Sequence, residues 1–295
     1  MTDRQASSGV LLRMVLILLG VNLLLWTVPE AVESVRDWYK ERQVNRALAF
    51  YERWSGERTL EDGTLEAETV GEREPVALPA LLYRPTVPDD RLLPLVICLH
   101  GSGQRGDDLR GAAHFIGTAL VEPSWQQVQP CFVLAPQCPL EHRWNGQSPY
   151  PMLRVLDRML DRLLATHPID PGRVYVVGFS MGAFGCWSWA AHAPERFAAM
   201  LAVAGGGETE VAARMSCLPI WAVHGSDDST VPLERSASMV NAVNAAGGNA
   251  KLTELVGVGH DSWRPVRRMP SEYFQWLFEQ ARGDCEERRV SQAQG

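Results

Sequence analysis

From Pro75 onward, short apolar runs alternate with longer stretches in which apolar residues recur every third or fourth position. The short runs have the length of buried strands, and the longer pattern is that of helices with one face on a core. Val76–Tyr83, Leu95–Leu99, Cys131–Ala135, Arg173–Val177, Phe197–Val203, Pro219–His224 and Lys251–Leu255 read as strands. Met152, Leu153, Val155, Leu156, Met159, Leu160, Leu163 and Leu164 follow i, i+3, i+4, i+7 spacing and predict a helix. Ala183–His192, Leu233–Ala246 and Ser271–Ala281 are further predicted helices. Pro79 lacks a ladder donor, so its strand is expected at an edge or a bulge. Strands that are apolar throughout and linked by helices belong in a parallel sheet covered on both faces. The predicted fold class is therefore α/β, with a doubly wound, mostly parallel sheet. The chain divides into an N-terminal segment 1–29, a helical and turn-rich linker 30–74, an α/β domain 75–283 and a polar tail 284–295 expected to be disordered. No internal repeat is visible.

The N-terminal segment changes the picture. Met14–Val28 is almost wholly apolar, with Arg13 before it and Trp26 near its end. Extended back to Gly9 it spans about 20 residues, enough for a transmembrane helix. Arg13 is placed to snorkel and Trp26 suits the interface. A cleaved signal peptide is the competing reading, against which stands the lack of a small-x-small cleavage site in Val28-Pro29-Glu30-Ala31. The expectation is a single-pass N-terminal membrane anchor. Arg4 and Arg13 precede the span, and Arg36, Lys40, Arg42 and Arg46 follow it, so basic residues do not decide its orientation. The folded domain is placed outside the cytoplasm because single N-terminal anchors mostly act as export signals. Glu30–Trp54 reads as an amphipathic helix that packs on the domain following it.

Composition supports one large core: 46% of the 295 residues are hydrophobic and 21% charged. A net charge of −7 argues against a nucleic-acid partner, which would need a basic face. Six cysteines without C-x-x-C or zinc-ligand spacing argue against a metal site and a disulfide scaffold. Cys98 and Cys186 read as small buried hydrophobes, and Cys131 and Cys138 lie too far apart along an extended segment to bridge. Neither a metal nor a cofactor is expected.

Candidate chemistry centres on Gly178-Phe179-Ser180-Met181-Gly182, which follows a predicted strand and precedes a predicted helix. Strand, G-x-S-x-G and helix in that order describe a nucleophile elbow, a turn so tight that side chains larger than glycine collide. The pentapeptide alone arises by chance often enough that its surroundings must carry the assignment. Acyl transfer needs a base for the hydroxyl proton, an acid to orient that base, and donors for the oxyanion. The base candidate is His260, the one histidine of seven that follows both the serine and an acid in a loop after a strand. The acid candidate is Asp228 in Ser226-Asp227-Asp228-Ser229-Thr230-Val231-Pro232, where Val-Pro opens the next helix; Asp227 is the competing residue and reads as a turn former. Asp261 adjoins His260 and cannot readily bend back to its ring. The oxyanion donors are assigned to the backbone N–H of Met181 and that of Ser102, with Gly103 as the alternative, in the loop His100-Gly101-Ser102-Gly103. His100 and His224 read as buried turn histidines. Trp144 and Tyr150, in a long loop after the Cys131–Ala135 strand, either rim the substrate pocket or pack over a sheet edge, and Trp263 is placed to wall the site. Trp187 and Trp189 read as core. The short Gly205–Cys217 connection leaves no room for a large cap domain.

HGSGQRGDD, VLAPQCP, RVYVVGFSMGAFGCW, PIWAVHGSDDSTVP and VGVGHDSW, taken together, resemble the bacterial predicted peptidase and phospholipase–carboxylesterase group. This branch of the α/β-hydrolases is related to polyhydroxybutyrate depolymerase-like esterases. The similarity covers about Leu78–Leu277 and implies Ser180, Asp228 and His260 as nucleophile, acid and base. It implies no cofactor and leaves the substrate open. The function expected is a serine hydrolase of small-molecule or acylated carboxylic esters, acting through an acyl-enzyme. A serine peptidase of the same fold is the alternative, and a catalytically inactive, membrane-tethered binding protein is the alternative of another class. Transfer of the acyl group to an alcohol instead of water is compatible with an open site.

Overall fold

The computed structural model describes residues 78–283 apart from 88–90, 108, 110, 113–116, 146–151 and 269–270. The expected anchor, the linker, the tail and Tyr150 lie outside the described residues. Among the described residues no helix is long and apolar enough to cross a membrane.

Seven strands form one sheet: β1 (Ala80–Tyr83), β2 (Leu93–Leu99), β3 (Phe132–Pro136), β4 (Ile169–Phe179), β5 (Ala199–Val203), β6 (Ile220–Gly225) and β7 (Ala250–Leu255). Their order is β1-β3-β2-β4-β5-β6-β7, with β1 antiparallel to β3 and every other pair parallel. The crossovers carry α1 (Met152–Thr166), α2 (Met181–His192) and α3 (Glu234–Ala245), and α4 (Glu272–Glu279) closes the domain.

Alternate strand residues enter two separate cores. Leu95, Ile97, Val174, Val176, Met200, Ala202, Ile220 and Ala222 face one way, toward the apolar stripe of α1 (Val155, Leu156, Met159, Leu160) and the buried faces of α2 and α3. Val96, Cys98, Tyr175, Val177, Leu201, Val203 and Val223 face the other, where Tyr273, Phe274 and Leu277 of α4 cover them. Burial on both faces explains why these strands are apolar at successive positions.

Two boundaries differ from the pattern. β1 starts at Ala80 because Pro79 has no N–H; its carbonyl instead accepts from the Gln137 N–H at 2.7 Å, and the strand does lie at the sheet edge. β4 begins at Ile169, through Asp170-Pro171-Gly172, where a turn is the ordinary reading. Asp170 accepts from the Gly172 N–H at 2.8 Å and from Arg173 Nε at 2.7 Å, and Ile169 pairs with Leu93 beyond a register shift. The β5–β6 connection holds a single 3-10 turn, Thr209–Met215, which buries Ala212 and Met215.

Candidate active site

Ser180 lies between β4 and α2 with φ 51° and ψ −120°, a conformation that costs a non-glycine residue about 1–3 kcal/mol. Its N–H donates to Val203 O at 2.9 Å and its carbonyl accepts from the Phe184 N–H at 3.0 Å, so both neighbouring elements hold the turn. The flanking glycines are demanded by contact. A Cβ on Gly178 would lie 2.4 Å from Gly182 O, and one on Gly182 would lie 1.9 Å from Leu99 O. The start of α2 therefore abuts the carboxyl end of β2. At the first position of that helix the Met181 N–H has no intrahelical acceptor, and the helix end carries a partial positive charge beside Ser180.

Asp228 follows β6 and His260 follows β7, both at the same carboxyl edge as Ser180. Gly225 lets their loops meet, since a Cβ there would lie 2.1 Å from Val258 O. The Asp227 N–H donates to Val258 O at 3.0 Å, the Ser226 N–H to Leu255 O at 3.0 Å, and the Gly257 N–H to Ser226 Oγ at 2.8 Å. This backbone framework sets His260 Nδ1 2.7 Å from Asp228 Oδ2 and His260 Nε2 3.0 Å from Ser180 Oγ. With Nδ1–H donating to the carboxylate, Nε2 is the acceptor for the Ser180 hydroxyl. The Phe179 ring supports the imidazole at a centroid distance of 4.8 Å.

The Asp228 side chain is fully buried, whereas that of His260 is 26% exposed. Burial pushes the Asp228 carboxyl up, but the N–H of Val231, the His260 ring and the N–H of Thr230 outweigh it and hold the group below its ordinary value. The two backbone donors reach Asp228 Oδ1 at 2.9 Å each. Asp227 instead accepts from the Ser226 hydroxyl at 2.7 Å in its own turn, and Asp261 pairs with Arg264 Nε at 3.0 Å. Of the competing aspartates, Asp228 is the one in contact with the histidine.

On the other side of Ser180, Gly101 leads into the 3-10 turn Ser102–Gln104, and a Cβ on Gly101 would lie 3.2 Å from the Phe179 ring. The loop after β3 clamps this segment. Gln137 Nε2 donates to Gln104 O at 3.0 Å and Gln137 Oε1 accepts from the Leu109 N–H at 2.5 Å. Arg105 donates to Leu140 O at 2.7 Å, and the Gly106 N–H donates to Cys138 O at 3.0 Å. Sequence reasoning misses this clamp, although Gln137 and Cys138 lie in the VLAPQCP segment that carries part of the resemblance.

His100 is buried as expected. Its Nε2 accepts from the Cys138 N–H at 2.9 Å, so Nδ1 carries the proton and donates to Gly101 O at 2.7 Å. Burial, assisted by the nearby Arg105 charge, lowers its pKa to about 4 against the pull of the Gly101 carbonyl.

One substrate-binding assignment, Trp144, needs correction. Trp144 has no exposed surface: its indole N–H donates to His100 O at 2.9 Å, and it packs so closely on α2 that a Cβ at Gly185 would lie 2.4 Å from Trp144 Cβ. Trp144 itself packs, against α2 and the His100 segment and not over a sheet edge. Trp263 is 8% exposed and belongs to the second core, with Arg264 and Arg267 stacked over its ring. An indole offers too much apolar surface to stay in water once a core lies beneath it. Trp187 and Trp189 are core residues, as expected.

Residues 94–222 match the family model of the alpha/beta hydrolase fold. The chain is 34% identical to a thermostable esterase of known crystal structure and superposes on it with a TM-score of 0.67, over 76% of this chain and 64% of that one. NocK, a proposed esterase of Nocardia uniformis subsp. tsuyamanensis, is 28% identical over 188 residues, which make up 60% of this chain and 52% of NocK. Poly(3-hydroxyalkanoate) depolymerase C of Paucimonas lemoignei is 47% identical over 51 residues, 17% of this chain and 12% of the depolymerase. The chain thus spans about half of NocK and a small part of the depolymerase.

Proposed function

We propose that this chain, an α/β-hydrolase related to esterases, cleaves carboxylic esters through an acyl-enzyme on Ser180. The observation that carries the reading is the continuous contact from Asp228 through His260 to Ser180, with the serine held in the strained turn. The Ser180 hydroxyl oxygen attacks the ester carbonyl carbon while His260 Nε2 takes its proton. Asp228 keeps His260 in the Nδ1–H form and stabilises the imidazolium. The N–H of Met181 and the N–H of Ser102 are assigned to the oxyanion, because both begin helical turns at abutting segments. Collapse of the tetrahedral intermediate releases the alcohol, which takes the proton from His260. Water then gives its proton to His260, attacks the acyl carbonyl, and frees the acid and Ser180.

Esters are preferred to amides in this reading because an alkoxide leaves with less assistance than an amine, and because the thermostable esterase and NocK, matched at 34% and 28% identity, bear esterase names. A peptidase is the outcome that the substrate test must separate. A lost triad residue would have favoured an inert binding protein, and all three are present.

The apolar segment Met14–Val28 supports a membrane tether, with the folded domain on the extracytoplasmic side. Cys217 is disulfide-bonded, while Cys98, Cys131, Cys138 and Cys186 are buried free thiols. Disulfides persist in oxidising compartments, which favours that side.

The test is labelling of the full-length, detergent-solubilised protein with a fluorophosphonate, followed by turnover of p-nitrophenyl esters and of peptide anilides. Labelling that vanishes in Ser180→Ala, with esters turned over faster than anilides, is expected. Folded wild type that neither labels nor turns over either substrate class would refute the reading, and a preference for anilides would replace it with the peptidase.

A further inference from the structure

Asp228 touches a second histidine. His224, on β6 with no exposed surface, lies four residues before the acid in chain order. Its Nε2 is 2.9 Å from Val231 O and 3.3 Å from Asp228 Oδ2. Both of those oxygens are acceptors only, so Nε2 carries a proton whichever way the other side of the ring is arranged. On that other side Nδ1 is 2.8 Å from Ser236 Oγ, and the Ser236 hydroxyl reaches Gly205 O at 2.7 Å. The ring is therefore fixed from α3 and from the end of β5, and it spends its Nε2–H on the loop that carries the acid.

Resting on the serine hydrolase reading above, we propose that His224 is a positioning residue for Asp228. It meets the loop at two atoms that matter to the carboxylate. One, in contact at 3.3 Å, is Oδ2, which also receives His260 Nδ1–H. The other is the carbonyl of Val231, whose own N–H donates to Oδ1. His224 touches neither Ser180 nor substrate; it acts through the acid. Its hydrogen bond goes to the Val231 carbonyl, and the same Nε2 lies 3.3 Å from Asp228 Oδ2, so the ring ties down the backbone of the acid's loop and lays its donor edge against the carboxylate.

The side-chain amides of glutamine and asparagine separate these roles. In His224→Gln the amide nitrogen takes the place of Nε2 and keeps a donor toward Val231 O and Asp228. In His224→Asn it takes the place of Nδ1, keeps the contact to Ser236, and leaves Asp228 without it. Kinetics on a p-nitrophenyl ester, with thermal unfolding run in parallel, should show kcat about 10-fold or more lower in His224→Asn at nearly unchanged KM, since a small misplacement of a catalytic group costs rate. His224→Gln should recover most of that loss. In an Asp228→Asn background, His224→Asn should cost little more, because both changes act on one interaction.

Wild-type kcat in His224→Asn would overturn the proposal. Equal losses in the two variants, or a loss that persists in full beside Asp228→Asn, would overturn it too, by assigning His224 to the fold alone. If His224→Asn does not fold, Ser236→Ala carries the same cycle. It leaves the imidazole in place but frees its far side, and an unchanged kcat there, or a loss undiminished beside Asp228→Asn, counts against the proposal. Absence of fluorophosphonate labelling in folded wild type would instead remove the hydrolase reading on which the proposal rests, so the two failures are told apart.

Discussion

The two sides of Ser180 are built differently. The loops after β6 and β7 are joined mainly by backbone hydrogen bonds between segments that bring Asp228 and His260 together. The loops after β2 and β3 are joined by side chains, Gln137, Arg105, His100 and Trp144, that donate to or accept from main chain. Both sides place a histidine next to a glycine in the chain that follows a strand. His100, sealed among backbone partners, is held neutral by burial, with a pKa of about 4. His260 is partly exposed and stands between a carboxylate and a hydroxyl. Burial and partner chemistry, not residue type, make one a strut and fit the other to the base role proposed for it. Changes on the β2/β3 side should cost stability, and changes on the β6/β7 side should cost rate.

The sharpest contrast is chemical. Ser180→Ala should abolish ester turnover while leaving thermal unfolding nearly unchanged, and any substantial residual turnover would reassign the nucleophile. Asp228→Asn should lower kcat by about 10⁴-fold, because His260 loses its oriented tautomer, while Asp227→Asn should stay close to wild type. The reverse ranking would move the acid by one residue.

The next is steric. Gly182→Ala drives a Cβ against the Leu99 carbonyl and should destabilise the fold by about 4 kcal/mol or more, whereas Gly103→Ala meets open space and should fall within about 0.5 kcal/mol in urea unfolding. Similar midpoints for the two would show that the elbow can relax.

The third is a pH dependence on the strut side. His100 has a folded pKa lowered from 6.5 to about 4, so the unfolded chain binds the proton more readily between those values. Its contribution is complete above pH 6.5 and declines as pH falls toward 4, by about 3 kcal/mol. In His100→Gln, whose amide oxygen can still accept from the Cys138 N–H, the slope of unfolding free energy over that window should flatten; an unchanged slope would place the titration elsewhere.

The smallest effect separates packing from binding. Trp144→Phe leaves the His100 carbonyl without its indole donor and should cost about 1–3 kcal/mol of stability. KM should not move, and a several-fold rise in KM at constant stability would return Trp144 to the substrate pocket.

Much of this architecture was legible along the chain. The apolar runs marked β2 through β6 because a strand buried on both faces needs apolar residues at successive positions, while β7, at the sheet edge, is only half-buried. The 3.6-residue spacing marked α1 because one face meets the sheet. Order along the chain pointed to Ser180, Asp228 and His260; the Val-Pro expected to open the next helix singled out Asp228 over Asp227, although α3 begins only at Glu234, beyond Pro232. The aromatic residues were less legible. Trp144 and Trp263 have polar chain neighbours, and no local pattern says whether an indole faces solvent, substrate or core. The disulfide at Cys217 carried no spacing signal of its own.

What the sequence by itself determined is whatever short-range sterics and hydrophobic period dictate: which segments are strands, that Gly178 and Gly182 bracket a tight turn, and which residue types stand in the order acyl transfer requires. What only the tertiary structure decided is how residues distant in the chain share atoms. His224 and His260 are both histidines beside a glycine, and nothing local to either reveals that they meet on one carboxylate oxygen. That depends on β6 and β7 lying side by side and on the loop after β7 folding back over Gly225. A hydrogen bond acts over about 3 Å, whereas the residues that make this one are brought within reach only by the packing of the whole sheet.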